Sequence, residues 1–224
     1  MKFFKKALAL VLVMAMTLVC TACTLPTATG TNNAANTNNA YSKTQIDTLI
    51  SNLQSTLTAL IDGNSSSITQ LELELAEKLE ERLKAYGATV IMTRTDDSTV
   101  EAEERMNMVR DTKPDFIISL HRNASSSATP SGFNTYHFTA FSANAAKDIY
   151  AATEEEGLYT TTKWSGVKWH YFFLARCTEC PSVLTENGYL TNRNEYNKII
   201  DPAFNDKCAD ALVSGIFDYF ISIQ

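Results

Sequence analysis

From residue 68 to its end, the chain alternates helical apolar spacing with short apolar runs, and this alternation restricts the fold more than any other feature. Ile68, Leu71, Leu75, Leu79, Leu83 and Tyr86 form one helical stripe, which Gly87 ends. Residues 89–93 read as a strand, 100–110 as a polar helix and 116–120 as a buried strand. A loop rich in Ser, Ala and Pro follows at 125–131, then a strand at 133–138 and a helix at 142–156. Strands at 169–175 and 182–185 and an amphipathic helix at 203–221 complete the pattern. Such alternation predicts an α/β fold, a mostly parallel sheet flanked by helices.

Two polar residues end apolar runs. His121 closes Asp115-Phe-Ile-Ile-Ser-Leu-His, and Glu186 closes Pro181-Ser-Val-Leu-Thr-Glu. Open α/β sheets place reactive groups at the carboxyl ends of their strands. A metal-ligand histidine and a general-base glutamate can meet there.

The region before residue 68 has a different character. Lys2, Lys5 and Lys6 precede an apolar stretch at 7–19 that is too short to span a bilayer. Thr21-Ala22-Cys23 resembles the lipobox of bacterial lipoproteins, with Cys20 where Leu is usual. Residues 1–22 therefore read as a lipoprotein-type signal peptide outside the fold. Cys23 is the lipidation candidate, and the protein is expected to be exported to the cell membrane facing the wall, or secreted. Removing that segment takes three lysines and no acid, moving the formal charge from −6 to −9. An acidic chain does not hold nucleic acid by charge. Residues 23–40 are small and polar and read as a flexible tether. Ile46, Ile50, Leu53, Leu57 and Leu60 follow the spacing of a coiled-coil seam, so 41–62 reads as a separate helix available for self-association. Gly63-Asn-Ser-Ser-Ser67 reads as its breaker.

Several segments of 68–224, in order, resemble the zinc-dependent N-acetylmuramoyl-L-alanine amidases of bacterial cell-wall turnover. They are Leu83-Lys-Ala-Tyr-Gly-Ala-Thr-Val-Ile-Met-Thr-Arg94, Glu104-Arg105, Ile118-Ser-Leu-His-Arg-Asn123 and Pro181 to Asn192. The resemblance implies the family's α/β fold and peptidoglycan as substrate. The bond at stake joins N-acetylmuramic acid to L-alanine of the stem peptide. It also implies zinc held by His, Glu and His with a place for water, and a further glutamate that takes the water proton. By position, His121 matches a zinc histidine and Glu186 the catalytic glutamate.

The front of the family pattern has no counterpart. No histidine precedes His121, and the position of the ligand glutamate falls on Ile68. A sheet without the family's inner first strand needs cover, for which the 41–62 helix is the candidate. Possible substitute ligands are Glu72, one helical turn beyond Ile68, and His170 in Lys168-Trp-His-Tyr171. Arg122 replaces a small residue beside the metal histidine, and with Asn123 it is a candidate for binding substrate. Arg94, Asp97 and Arg105 form a candidate ion-pair set. Tyr136, Trp164, Trp169, Tyr171 and Phe172 are rings able to stack on sugars or to fill the core. Cys177 and Cys180 read as ordinary cysteines or a tight disulfide, because a zinc ribbon needs a second pair. The two resulting readings are a zinc amidase and a non-hydrolytic relative that binds peptidoglycan or a partner.

Overall fold

The computed structural model describes residues 9–14 and 43–224, with side chains at 47, 48, 50–56 and 67–224. Residues 9–14 and 68–224 belong to one unit, and 43–67 to a second. The strands are β1 (Ala9–Met14), β2 (Thr89–Met92), β3 (Phe116–Asn123), β4 (Phe133–His137), β5 (Gly166–Trp169) and β6 (Ser182–Tyr189). The helices are α1 (Lys43–Ala85), α2 (Ala102–Thr112), α3 (Ala143–Glu155), α4 (Arg193–Ile199) and α5 (Pro202–Ser222). The sheet order is β2-β1-β3-β6-β4-β5. Every pairing is parallel except the antiparallel one between β4 and β6. The expected mostly parallel α/β sheet is therefore present.

β3 is buried along nearly its whole length and sorts its residues between two layers. Phe116, Ile118 and Leu120 pack with Leu75, Leu79 and Leu83 of α1 and Leu212 and Ile216 of α5. Ile117 faces the other way, onto Met106 and Val109 of α2 and Leu174, Cys177 and Cys180. Alternation along one strand thus builds both cores. Cys177, Cys180 and Cys208 are free and buried.

Local chemistry sets the boundaries. At the end of α1, Ala88 N–H donates to Leu83 O (3.0 Å) and Gly87 N–H to Lys84 O (2.9 Å). Gly87, at φ +87°, supplies the left-handed residue this closing motif needs. Asp201 caps α5 by accepting from Ala203 N–H, and Pro202 holds the first helical position. The Glu195 carboxylate accepts from Gly132 N–H (2.6 Å) and Tyr189 N–H (2.7 Å), tying the end of β6 to the start of β4.

Three expectations are corrected. The inner strand is not missing: Ala9–Met14, from the segment read as a leader, lies between β2 and β3, with Val11 in register with Ile91 and Ile117. Cover from the 41–62 helix is therefore not what fills the sheet. Nor does that helix stop at 62, since α1 runs unbroken through Gly63 to Ala85. Continuing a helix past one glycine costs about 1 kcal/mol, whereas stopping demands caps and a new nucleus. Finally, the strand expected at 169–175 lies at Gly166–Trp169, and a 3-10 turn occupies Leu174–Arg176. Its aromatic run carries strand propensity, but those residues lie at the sheet's edge, where no further ladder holds them. Cys23 lies outside the described residues.

Candidate functional site

The carboxyl ends of β3 and β6 bring the two opening residues together. His121 and Glu186 are register partners, and Asn134 of β4 is the partner of Glu186 on its other side. One row of side chains thus crosses three strands on one face. Two residues back on β3, Ser119 Oγ lies 3.1 Å from His121 Nε2.

Glu72, from the sheet-packed part of α1, completes the centre. It is only 2% exposed. Its Oε1 is 3.7 Å from His121 Nδ1 and accepts from Arg122 N–H at 3.3 Å. Its Oε2 accepts from Arg94 Nη2 at 3.4 Å, a buried ion pair. Arg105 stands behind, donating to Thr93 Oγ1 (2.7 Å) and Val100 O (2.8 Å). Of the expected Arg94–Asp97–Arg105 set, Arg94 pairs with Glu72.

Burial dominates the protonation of this cluster. It pushes Glu72 up to about 7, against the Arg122 amide and the charges of Arg94, Arg122 and Arg105. Glu186 is raised to about 8, by burial and then by the Glu72 charge, with Lys168 opposing. His121 falls to about 3 through burial and the nearby Arg105 and Arg94. At neutral pH the imidazole is neutral and Glu186 mostly carries its proton. Glu186 Oε2 has no hydrogen-bond partner, nor do Asn134 Oδ1 and Nδ2. The row therefore holds buried polar groups whose hydrogen-bonding capacity is not fully used inside the protein.

The other candidates distribute differently. Arg122 is corrected as a substrate-binding residue. Its guanidinium is buried, donating to Asn187 O and Asn205 Oδ1, each at 2.8 Å. It alternates with His121 along β3, so its side chain leaves the cleft face and locks β6 to α5. Asn123 ends β3 half-buried, its carbonyl accepting from Leu190 N–H at 2.8 Å. His170 is exposed and stacks on Phe172 with centroids 3.9 Å apart, so it does not join His121 and Glu72. Sequence reasoning missed Asn134 and the use of Arg94. Asn134 and Tyr136 share the parity of the site face of β4, but only the register between strands shows which residue they meet.

The class of protein is thus an α/β domain with a polar cluster at the carboxyl ends of its central strands. A family model described as N-acetylmuramoyl-L-alanine amidase matches residues 62–218, and the chain belongs to that family. It is 28% identical over 159 residues to N-acetylmuramoyl-L-alanine amidase LytC of Bacillus subtilis, covering 70% of this chain and 32% of LytC. It is 32% identical over 148 residues to probable cell wall amidase LytH of Staphylococcus aureus, covering 66% of this chain and 48% of LytH. The chain thus spans well under two thirds of either relative. The catalytic domain of the amidase CwlV from Bacillus (Paenibacillus) polymyxa var. colistinus superposes with a TM-score of 0.64 at 29% identity. That match covers 68% of this chain and 84% of that one.

The family is zinc-dependent, so the centre can be tested for fit. Structural and catalytic zinc sites use at least three protein ligands. Among the described residues no group of three His, Cys, Asp or Glu side chains is placed to hold a metal. The two that approach each other, His121 and Glu72, leave Glu72 committed to Arg94. Arg94 and Arg105 already supply positive charge that a dication would have to oppose. The described residues do not fit a zinc ion.

Proposed function

We propose that the protein binds cell-wall peptidoglycan at the His121–Glu186 cleft without zinc-dependent cleavage. The observation that carries this reading is the Glu72–Arg94 ion pair beside His121, which commits the carboxylate that approaches the imidazole to an internal cation. Glu186, which is only partly buried, would hydrogen-bond the amide between the muramic acid and L-alanine. One observation favours hydrolysis: Glu186 stands where the family's catalytic glutamate is expected.

Export belongs to the same proposal, supported by the basic start, the apolar stretch and the Thr21-Ala22-Cys23 motif. Lipidation at Cys23 would anchor the protein at the membrane facing the wall. Processing there would also remove Ala9–Met14, so a lipidated molecule is one without β1. Self-association through the first half of α1 is supported by Ile50 and Leu53, which are 49% and 69% exposed.

The test is incubation of the protein with purified muropeptides, with and without added zinc, followed by metal analysis. Binding with no bound zinc and no free stem peptide is expected. Stoichiometric zinc together with peptide release that is lost in Glu186→Gln would establish the amidase instead.

A further inference from the structure

The edge of the sheet beyond the cleft carries a set of aromatic rings that the amide-binding row does not use. Trp169 is 62% exposed, Tyr171 59% and Phe173 40%. Contiguous exposed apolar surface of this kind marks a binding site more often than scattered single residues do. These rings are also held in place. Trp169 Nε1 donates to Phe138 O at 3.0 Å, and its ring lies 5.5 Å from that of Phe138. Tyr171 meets Phe138 edge-on at 5.3 Å, and the Arg176 guanidinium lies 4.3 Å from the Tyr171 ring and 5.0 Å from that of Phe173. An exposed surface already fixed in orientation loses little freedom on binding.

The patch connects to the cleft. Tyr136 lies two residues along β4 from Asn134, the partner of Glu186. Its ring meets Phe172 at 5.1 Å, and Phe172 stacks on the exposed His170. From there the chain passes directly to Trp169 and Tyr171. A ligand that fills the cleft and extends toward β5 would lie along these rings.

The chemistry of the patch selects the occupant. Its large exposed apolar side chains, Trp169, Tyr171 and Phe173, are all aromatic. Flat ring faces bordered by the Tyr171 hydroxyl, the His170 ring and Arg176 match a pyranose, which has an apolar C–H face and a rim of hydroxyls and N-acetyl groups. An aliphatic protein surface would find no aliphatic counterpart here.

We infer that Trp169 and Tyr171 form a glycan subsite that stacks N-acetylhexosamine rings of the peptidoglycan strand next to the amide-binding row. This inference rests on the peptidoglycan reading and adds the sugar half of the ligand. The probe is a β-1,4-linked tetramer of N-acetylglucosamine, which has rings and no peptide. The chain has two tryptophans, so the indole fluorescence of exposed Trp169 can report its binding. Calorimetry is run in parallel on the wild type, Trp169→Ala and Tyr171→Ala. Binding by the wild type, weakened at least about tenfold in both variants, is expected of stacked anchor residues. Both substitutions are at exposed positions, and unchanged melting curves would establish that the variants fold. Failure of the wild type to bind the tetramer, or variants that bind it like wild type, would overturn the inference. Binding of a muropeptide lacking extra sugars, measured on the same samples, tests the peptidoglycan reading separately. Its loss in the wild type defeats that reading, while its retention beside an inert tetramer defeats only the subsite.

Discussion

Replacing Arg94 with methionine removes the cation that holds the Glu72 carboxylate in the interior. Glu72 keeps only the Arg122 N–H at 3.3 Å and the more distant charges of Arg105 and Arg122. Breaking a buried ion pair from one side typically costs about 3–5 kcal/mol. Two features put this pair at the lower end. The contact is long, 3.4 Å, and Arg94 Nε has no partner, so the pair is not fully developed. Glu72 is also poised at about 7 and can escape by taking a proton. The expected loss is therefore about 3 kcal/mol at pH 8, roughly 6–12 °C in Tm for a domain of this size. At pH 5.5, where Glu72 is already protonated, the loss should shrink to less than about half of that. The double variant Glu72→Gln/Arg94→Met removes both charges and should melt within about 1 kcal/mol of wild type. Thermal melts at both pH values, arranged as a double-mutant cycle, measure this directly. An Arg94→Met protein that melts within about 2 °C of wild type at pH 8, or a double variant no better than the single one, would refute the internal-cation account.

Other outcomes follow from the same centre and from the N-terminal elements. Glu186 keeps its proton in the folded state up to about 8, whereas the unfolded chain gives it up near 4.5. The folded state therefore binds the extra proton between these values, and stability falls as pH rises. His121, lowered to about 3, acts oppositely but only below 6.5. Between pH 6.5 and 8 the carboxyl acts without that compensation. A loss on the order of 2 kcal/mol from Glu186, flattened in Glu186→Gln, is the expected result of pH-dependent melting; a flat wild-type profile contradicts it. Val11→Asp, at the middle of β1 between Ile91 and Ile117, should lower Tm by several degrees, and an unchanged melt would show that the strand contributes nothing. Ile50→Asp/Leu53→Asp should reduce the sedimenting mass if the first half of α1 self-associates, and an unchanged mass disposes of that idea.

Most of the sheet domain was legible in the sequence because its strands are unambiguous. β3 and β6 are short apolar runs with polar ends, and burial on both faces enforces that pattern. His121 and Glu186 were legible for the same reason: each terminates such a run. Contacts that depend on long-range register were not. Glu72 lies 50 residues from Arg122 and 22 from Arg94, and nothing local to any of them shows that they meet. The side chain of Arg122 was misjudged because adjacency to His121 in sequence means the opposite face of a strand. Gly63 misled because glycine weakens a helix without forbidding it. The 7–19 stretch is apolar enough for a leader and for an inner strand, and composition alone does not distinguish the two.

That inner strand bears on how the sheet assembles. β2 and β3 have no common neighbour until Ala9–Met14 arrives. The strand that joins them comes first in the chain, while both strands it joins come far later. Closing the middle of the sheet is therefore a long-range event, in which the earliest strand waits for partners that the chain supplies much later.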